Sequence, residues 1–541
     1  MLAPLRLPPL ITSPLLPTLS SSTSSQADMN QHIKHIVIVG GGAAGWITAG
    51  RIAARHARAD SGITVTLVES PTIGPIGVGE GTWPTMRGTL MKMGISETDF
   101  MRECEATFKQ GAKFARWVDG TADDYYYHPL MLPQGFGQLD LVPYWQTACA
   151  GRSYSDSVCL QEQVCEHGLA PKMITTPEYA SVANYAYHLD AGKFVGFLTR
   201  HCTGKLGVTH IQGDVTAVRS SPDGDIAAVV TAQQGEIAGD LFIDCTGFSS
   251  LLLGKHLGVP FVDRNDVLFI DKAIAAQVPY EREDAPIASH TISTGQAAGW
   301  IWDIGLVNRR GIGYVYSSRH TSDEQAEAAL RAYIGPAGKT IGTRSIPIRS
   351  GHRQLFWKNN CVAVGLAAGF LEPLEASALV LVELSADMLA EQLPATRDTV
   401  DIAARRFNET FLYRWDRIID FLKLHYILSK RTDNAFWIDN RAPETIPDSL
   451  KDLMRLWRYR PPGNCDFTSN NEVFPAASYQ YVLYGMGFRT DPAFLRPSAG
   501  EQRAAQEHLS HNSAAVKKAL KMLPPHRELI AKIHAYGLPA V

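Results

Sequence analysis

The chain has 541 residues, several times the ~150 of an average domain, which leaves room for one large domain with an added module. Its composition is 45% apolar and 19% charged, which excludes a disordered, collagen-like or coiled-coil chain. Lys plus Arg number 51 against 54 Asp plus Glu, and a net charge of −3 offers nucleic acid no basic footprint. The eight cysteines are dispersed without a CxxC pair or a His cluster at ligand spacing, so neither a disulfide framework nor a metal site is expected, and a reducing cytoplasm fits.

Residues 1–31 combine leucines with Pro4, Pro8, Pro9, Pro14 and Pro17 and a Ser/Thr run, and read as a disordered leader with Met29 as a candidate start. Prolines interrupt the apolar stretch, so a secretory signal fits poorly, and no apolar run reaches the ~20 residues that span a bilayer. Regular structure is expected to begin with a strand at Ile36–Val39, a turn at Gly40 and an Ala-rich helix from Ala43. Gly40, Gly42 and Gly45 stand at GxGxxG spacing: the first for a tight turn, the second for backbone approach to a pyrophosphate, the third for packing of helix on strand. Ala43 and Ala44 then open a helix whose N-terminus faces an anion. The next strand ends in Glu69, placed to accept from a ribose hydroxyl.

Further along, GDLFIDCTGFSSLL (239–252) and NCVAVGLAAGFLEPLEASALVLVELSADML (360–389) each read as a strand running into a glycine turn. They resemble the second and third flavin motifs of flavin-dependent aromatic hydroxylases and their relatives. That resemblance implies FAD rather than NAD, with Gly365 and Leu366 at the third motif. Leu366 stands where hydroxylases carry Asp, and YHLDAGKF (187–194) lacks their nicotinamide-linked Asp-Gly.

Four more segments resemble the flavin-dependent halogenases, the tryptophan halogenase family. GWIWDIG (299–305) matches the family's GWxWxIP signature except at Gly305, IGVGEGTWPT (76–85) resembles its flavin strap, and ATFKQGAKFARW (106–117) its lysine-bearing segment. PLEASAL (373–379) resembles the segment with an active-site glutamate and a halide site. The resemblance, which runs from about 33 to 490, implies that Lys109 and Glu375 are catalytic, that Ser377 and Ala378 bind halide, and that Trp300 and Trp302 wall the flavin region. YYYHPL (125–130) resembles a substrate-pocket segment and places His128 beside the aromatic ring. It further implies reduced FAD from a separate NAD(P)H-dependent flavin reductase, chloride or bromide as halide, and a small aromatic substrate.

The chemistry needs such groups. Hypohalous acid is small, neutral and indiscriminate, so it must be kept from solvent and delivered by a positioned amine. Lys109 either hydrogen-bonds that oxidant or forms a haloamine, and Glu375 steadies the positive charge that builds on the ring. Two departures refine the expectation. The substrate-helix stretch ASYQYVLYGMGF (477–488) lacks the glutamate that grips a free amino acid, which favours indole over tryptophan. Ala376, Ser377 and Ala378 replace the family's Ser-Thr-Gly, which favours bromide. The stripe Phe407, Phe411, Trp415, Ile418, Phe421, Leu422 and His425 reads as helical core, and His425 receives no role. The segment from 497 carries two helical periods split by Pro524 and Pro525 and no recognisable chemistry.

The expected architecture is α/β: a Rossmann-like FAD-binding domain with an interleaved mixed β-sheet region over 32–400, then a mainly helical substrate-pocket module over 401–541, with a homodimer permitted. A flavin monooxygenase that hydroxylates, and a catalytically idle flavin-binding module, stand as alternatives.

Overall fold

The computed structural model describes residues 32–57, 60–74, 79–149, 151–469, 472–491, 493 and 498–540. The leader at 1–31 and Ile76, Gly77 and Val78 of the strap lie outside the described residues.

The run HIVIV forms the strand His35–Val39, buried from Ile36 onward, and its two faces explain its unbroken apolar character. It lies inside a sheet ordered Trp357–Lys358, Cys361–Ala363, Leu241–Asp244, His35–Val39, Thr64–Glu69, Thr209–Gln212, parallel except at the first pair. The glycine-led helix Ala43–His56 follows the central strand and packs against the later helix Ser377–Glu391, where Arg51 Nε donates to Asp387 at 2.6 Å. This is the Rossmann-like core expected from the sequence, and the mixed α/β class holds for the chain.

A second sheet, interleaved in sequence with the first, runs Arg344–Pro347, Lys272–Pro279, Arg309–Tyr316, Gly299–Gly305, Thr291–Gln296, Gly111–Ala115, Tyr125–Pro129. Its register sets one face. His128 sits opposite Ala112, Tyr126 opposite Phe114, Trp302 opposite Ser293 and Trp300 opposite Gly295, and opposed side chains share a side. Gly313 makes room for Trp302, since a Cβ there would lie 2.1 Å from its ring.

Beyond Phe370 the named elements are helices. The stripe read as core lies on the 31-residue helix Arg397–Ile427, whose buried Phe407, Phe411, Trp415, Ile418, Phe421 and Leu422 line it against the body. That helix also carries His425 and Tyr426 across the face that holds His128 and Trp300, through Trp117 Nε1, which donates to the His425 carbonyl at 2.8 Å. The Pro524–Pro525 break separates helices Ala499–Met522 and His526–Tyr536. Among the described residues no helix is long and apolar enough to cross a membrane.

Candidate active site

Backbone geometry at the first turn fits a dinucleotide. A Cβ on Gly40 would lie 2.1 Å from the Cys245 carbonyl oxygen, and one on Gly45 1.9 Å from that of Gly40, so both must be glycine for strand, turn and helix to close. Gly42 is different: no atom lies within 4 Å of the position its Cβ would take, and no side chain caps the helix it starts. No side chain occupies the first-turn N–H groups of this helix, so those of Ala43 and Ala44 remain available to a pyrophosphate. Glu69 lies against Gly41, with its carboxylate 2.8 Å from His210 Nε2. A Cβ on Gly365 would stand 2.7 Å from that of Ala44, so the third glycine turn closes on the first. Leu366, half-buried, follows it in the same short 3-10 turn. These residues fit FAD.

Lys109 does not lie on a solvated helix. It ends the three-residue strand Thr107–Lys109 and is 3% exposed. Among the described residues its Nζ makes one hydrogen bond, to the Thr82 carbonyl at 3.2 Å, and sits 5.8 Å from the centre of the Trp83 ring. Burial lowers its pKa to about 8, against the pull of Glu375 in the other direction. Gly81 admits the amine: a Cβ there would be 3.6 Å from Nζ and 3.4 Å from the Cβ of Ala376, so lysine, strap and PLEASAL turn converge on one point.

Glu375, also 3% exposed, precedes Ala376, whose φ of 53° turns the chain into the helix that begins at Ser377. Its carbonyl accepts from Trp83 Nε1 at 2.7 Å, and its Oε1 lies 2.8 Å from His128 Nδ1 and 3.2 Å from His425 Nε2. Burial pushes the carboxyl up, but the two imidazoles outweigh it and hold it at about 2. An ionised carboxylate takes only donors, so His128 Nδ1 carries hydrogen; His425 Nε2 faces the carboxylate at 3.2 Å without hydrogen-bond alignment, and His425 Nδ1 lies 2.6 Å from the Tyr126 hydroxyl. His425, read from sequence as core alone, thus joins Tyr126, Glu375 and His128 in one buried chain. A lone histidine on an apolar helical stripe carries no sequence signal of this kind.

Ser377 and Ala378 occupy the first turn of the helix Ser377–Glu391, where no side chain caps the backbone N–H groups. Trp83, His128, Phe421 and Phe474 pack around Glu375, with Phe474 stacked on Phe421 at 4.1 Å and edge-on to Trp83 at 5.1 Å. Trp300 is buried on its strand, whereas Trp302 is half-buried. Trp300 Nε1 donates to Glu372 Oε2 at 3.2 Å, and Tyr426 OH donates to the same oxygen at 2.7 Å. Glu372 is thereby the acceptor that fixes Trp300 and Tyr426, and burial pushes it up to about 7. Glu372→Ala leaves both donors buried without an acceptor and is expected to cost roughly 2–4 kcal/mol in urea unfolding, against less than about 1 for Glu372→Gln, which keeps the accepting oxygen.

The family model described as tryptophan halogenase matches residues 35–497. The chain belongs to the tryptophan halogenase family of flavin-dependent enzymes. It is 36% identical to the 7-chloro-L-tryptophan 6-halogenase of Kutzneria sp. (strain 744), over 92% of this chain and 99% of that one. The crystal structure of a tryptophan halogenase from Shewanella frigidimarina NCIMB 400 superposes with a TM-score of 0.92 at 48% identity, covering 95% of this chain and all of the other. A flavin-dependent halogenase from Brevundimonas sp. BAL3 gives a TM-score of 0.82 at 33% identity, covering 93% and 99%.

Proposed function

We propose that this family member halogenates an electron-rich aromatic ring, with indole or a simple substituted indole as substrate and bromide favoured over chloride. The observation that carries the reading is Lys109, a buried amine that makes no ion pair among the described residues, facing the same strap and turn as an ionised buried glutamate. Burial of a charge at that cost marks a working group rather than a structural one.

Bound reduced FAD, supplied by a separate NAD(P)H-dependent reductase, provides with oxygen the two-electron oxidation that turns halide into hypohalous acid. The glycines at 40, 42 and 45 with Ala43 and Ala44 would hold its pyrophosphate and Glu69 its ribose, and Gly365 and Leu366 would border the same site. The helix N-terminus at Ser377 and Ala378 holds the halide ion through backbone N–H groups. Lys109 donates a hydrogen bond to the oxygen of hypohalous acid and turns its halogen toward the ring. The ring carbon takes the halogen as the O–halogen bond breaks, and the hydroxide released takes up, in net, the proton that the ring loses and leaves as water. Glu375 faces the charge that builds on the ring, and Trp300 and Trp302 keep water and substrate from the flavin side.

Indole rather than tryptophan is supported by the helix Ala476–Gly485. Its tyrosine hydroxyls are committed within the protein: Tyr481 to the Met131 carbonyl at 3.0 Å, Tyr484 to Thr490 at 2.8 Å and Tyr479 to the Arg417 carbonyl at 3.4 Å. None has an O–H left to donate to a carboxylate. The test is mass spectrometry of indole or tryptophan incubated with enzyme, FAD, a flavin reductase, NADH and either halide, with free hypohalite as control. The expected product is monobromoindole in excess over chloroindole. Faster turnover of tryptophan overturns the substrate, hydroxylated product alone supports a monooxygenase, and bound FAD without any product supports the idle module.

A further inference from the structure

The strand that carries Lys109 is an unusual support for a positioned amine. It has three residues, Thr107–Lys109, and pairs on one side only, with Ala186–His188, at the edge of the small sheet completed by Glu80–Gly81. An edge strand leaves its outward N–H groups without a ladder partner. Here the outward group is the N–H of Phe108, the residue before the lysine, and Phe108 is fully buried, so water cannot satisfy it.

Its partner comes from the far end of the chain. His526 opens the last helix, His526–Tyr536, just after the proline pair. Its Nε2 accepts the Phe108 N–H at 3.0 Å, and its Nδ1 stands 3.1 Å from the Ile287 carbonyl oxygen. The two contacts fix the tautomer: Nδ1 carries the hydrogen and Nε2 the lone pair. Burial holds the imidazole in this neutral form, with its pKa lowered to about 4. The helix start is itself tied down, because the His526 N–H donates to the Gly168 carbonyl and the Ala170 N–H to that of Pro524, both at 2.9 Å. On the other side of the lysine, the Gln110 side chain donates to the Leu169 carbonyl at 2.8 Å. Both neighbours of Lys109 are therefore pinned to one layer formed by the C-terminal helix start and residues 168–170.

We infer that His526 is a positioning residue for Lys109: a bidentate imidazole at the start of the C-terminal helix that replaces the missing strand and sets where the amine stands. This rests on Lys109 being the delivering group. Without the acceptor, Phe108 must seek another partner, and a shift of the strand moves the amine by the same amount. A displacement near 1 Å costs such a site up to about a hundredfold in rate.

The test compares His526→Leu, which fills the space without hydrogen bonds, with His526→Gln, whose amide offers an acceptor and a donor. Amide hydrogen exchange of the full chain, read by mass spectrometry on overlapping peptides across 107–110, reports the Phe108 N–H without reference to activity. The expected result is protection lost by roughly a hundredfold in the leucine variant and kept within about threefold in the glutamine variant. Halogenated product per flavin oxidised is expected to fall at least about tenfold in the first, with KM for the aromatic unchanged, and to recover in the second. Unaltered exchange and yield in His526→Leu overturns the proposal, as does a glutamine variant as defective as the leucine one. Should the leucine variant fail to fold, the glutamine variant decides, because loss of protection or yield there is equally fatal. A wild-type protein that binds FAD but gives no halogenated product refutes the proposed function, while the exchange arm still decides the tie between His526 and the strand.

Discussion

Lys109→Ala is expected to lower halogenated product by about 10^2–10^4-fold while FAD binding and flavin oxidation continue. The separation follows from position. The residues proposed to hold FAD lie at the parallel sheet, its first helix and the Gly365 turn, whereas Lys109 stands on a different small sheet. Its removal leaves a cavity beside Trp83 but breaks one hydrogen bond, to Thr82, so the fold should tolerate it. The measurement is product yield per flavin oxidised, with free hypohalite trapped by a reporter dye. The variant should release as diffusible oxidant what the wild type places on the ring, and an unchanged yield removes Lys109 from the chemistry.

The same residue sets the sign of a pH dependence. With its pKa lowered to about 8, Lys109 is an ammonium below that pH and an amine above it. A hydrogen-bond donor to hypohalous acid works in the charged form, so yield per flavin is expected to fall as pH rises through about 8. A haloamine route needs the free amine and gives the opposite slope, so one pH series at saturating halide separates the two.

How much of this was legible in the sequence depends on whether a signal is local. The glycines at 40, 42 and 45 impose their turn within six residues, and strand, helix and terminal acid follow where spacing expects them. Trp300 and Trp302 share one face of their strand, as two-residue spacing implies. By contrast, the contacts of Glu375 with His128 and His425 join residues 247 and 50 positions apart, and no periodicity encodes them. His425 was hidden by its surroundings: Phe421 and Leu422 make the helix face apolar, and the imidazole is as buried as they are. Glu372 was hidden by Glu375, three residues on, since a Glu-Pro-Leu-Glu run gives no sign of which carboxyl is ionised. The fold pushes the two carboxyls in opposite directions, down for the one beside two imidazoles and up for the one buried beside an indole and a phenol.

Glu375→Gln exploits that difference. The substitution keeps the shape and the accepting oxygen but removes the charge around which His128, His425 and Tyr126 are oriented. Yield is expected to drop by about 10^2–10^3-fold, the usual loss when a preorganised electrostatic partner of a developing charge is removed. Stability should fall as well, because a carboxyl held at about 2, below its ordinary 4.5, is one whose ionised form the folded state prefers. That contribution is fully present above pH 4.5 and is lost as pH falls toward 2, so at pH 7 the glutamine variant forgoes all of it, about 1–3 kcal/mol. The wild type should therefore lose its stability advantage over the variant on acidification through that window, in thermal unfolding at matched ionic strength. A variant that shows the stability loss and keeps its yield makes Glu375 a structural counter-charge for the two histidines, and halogen transfer would then rest on Lys109 alone.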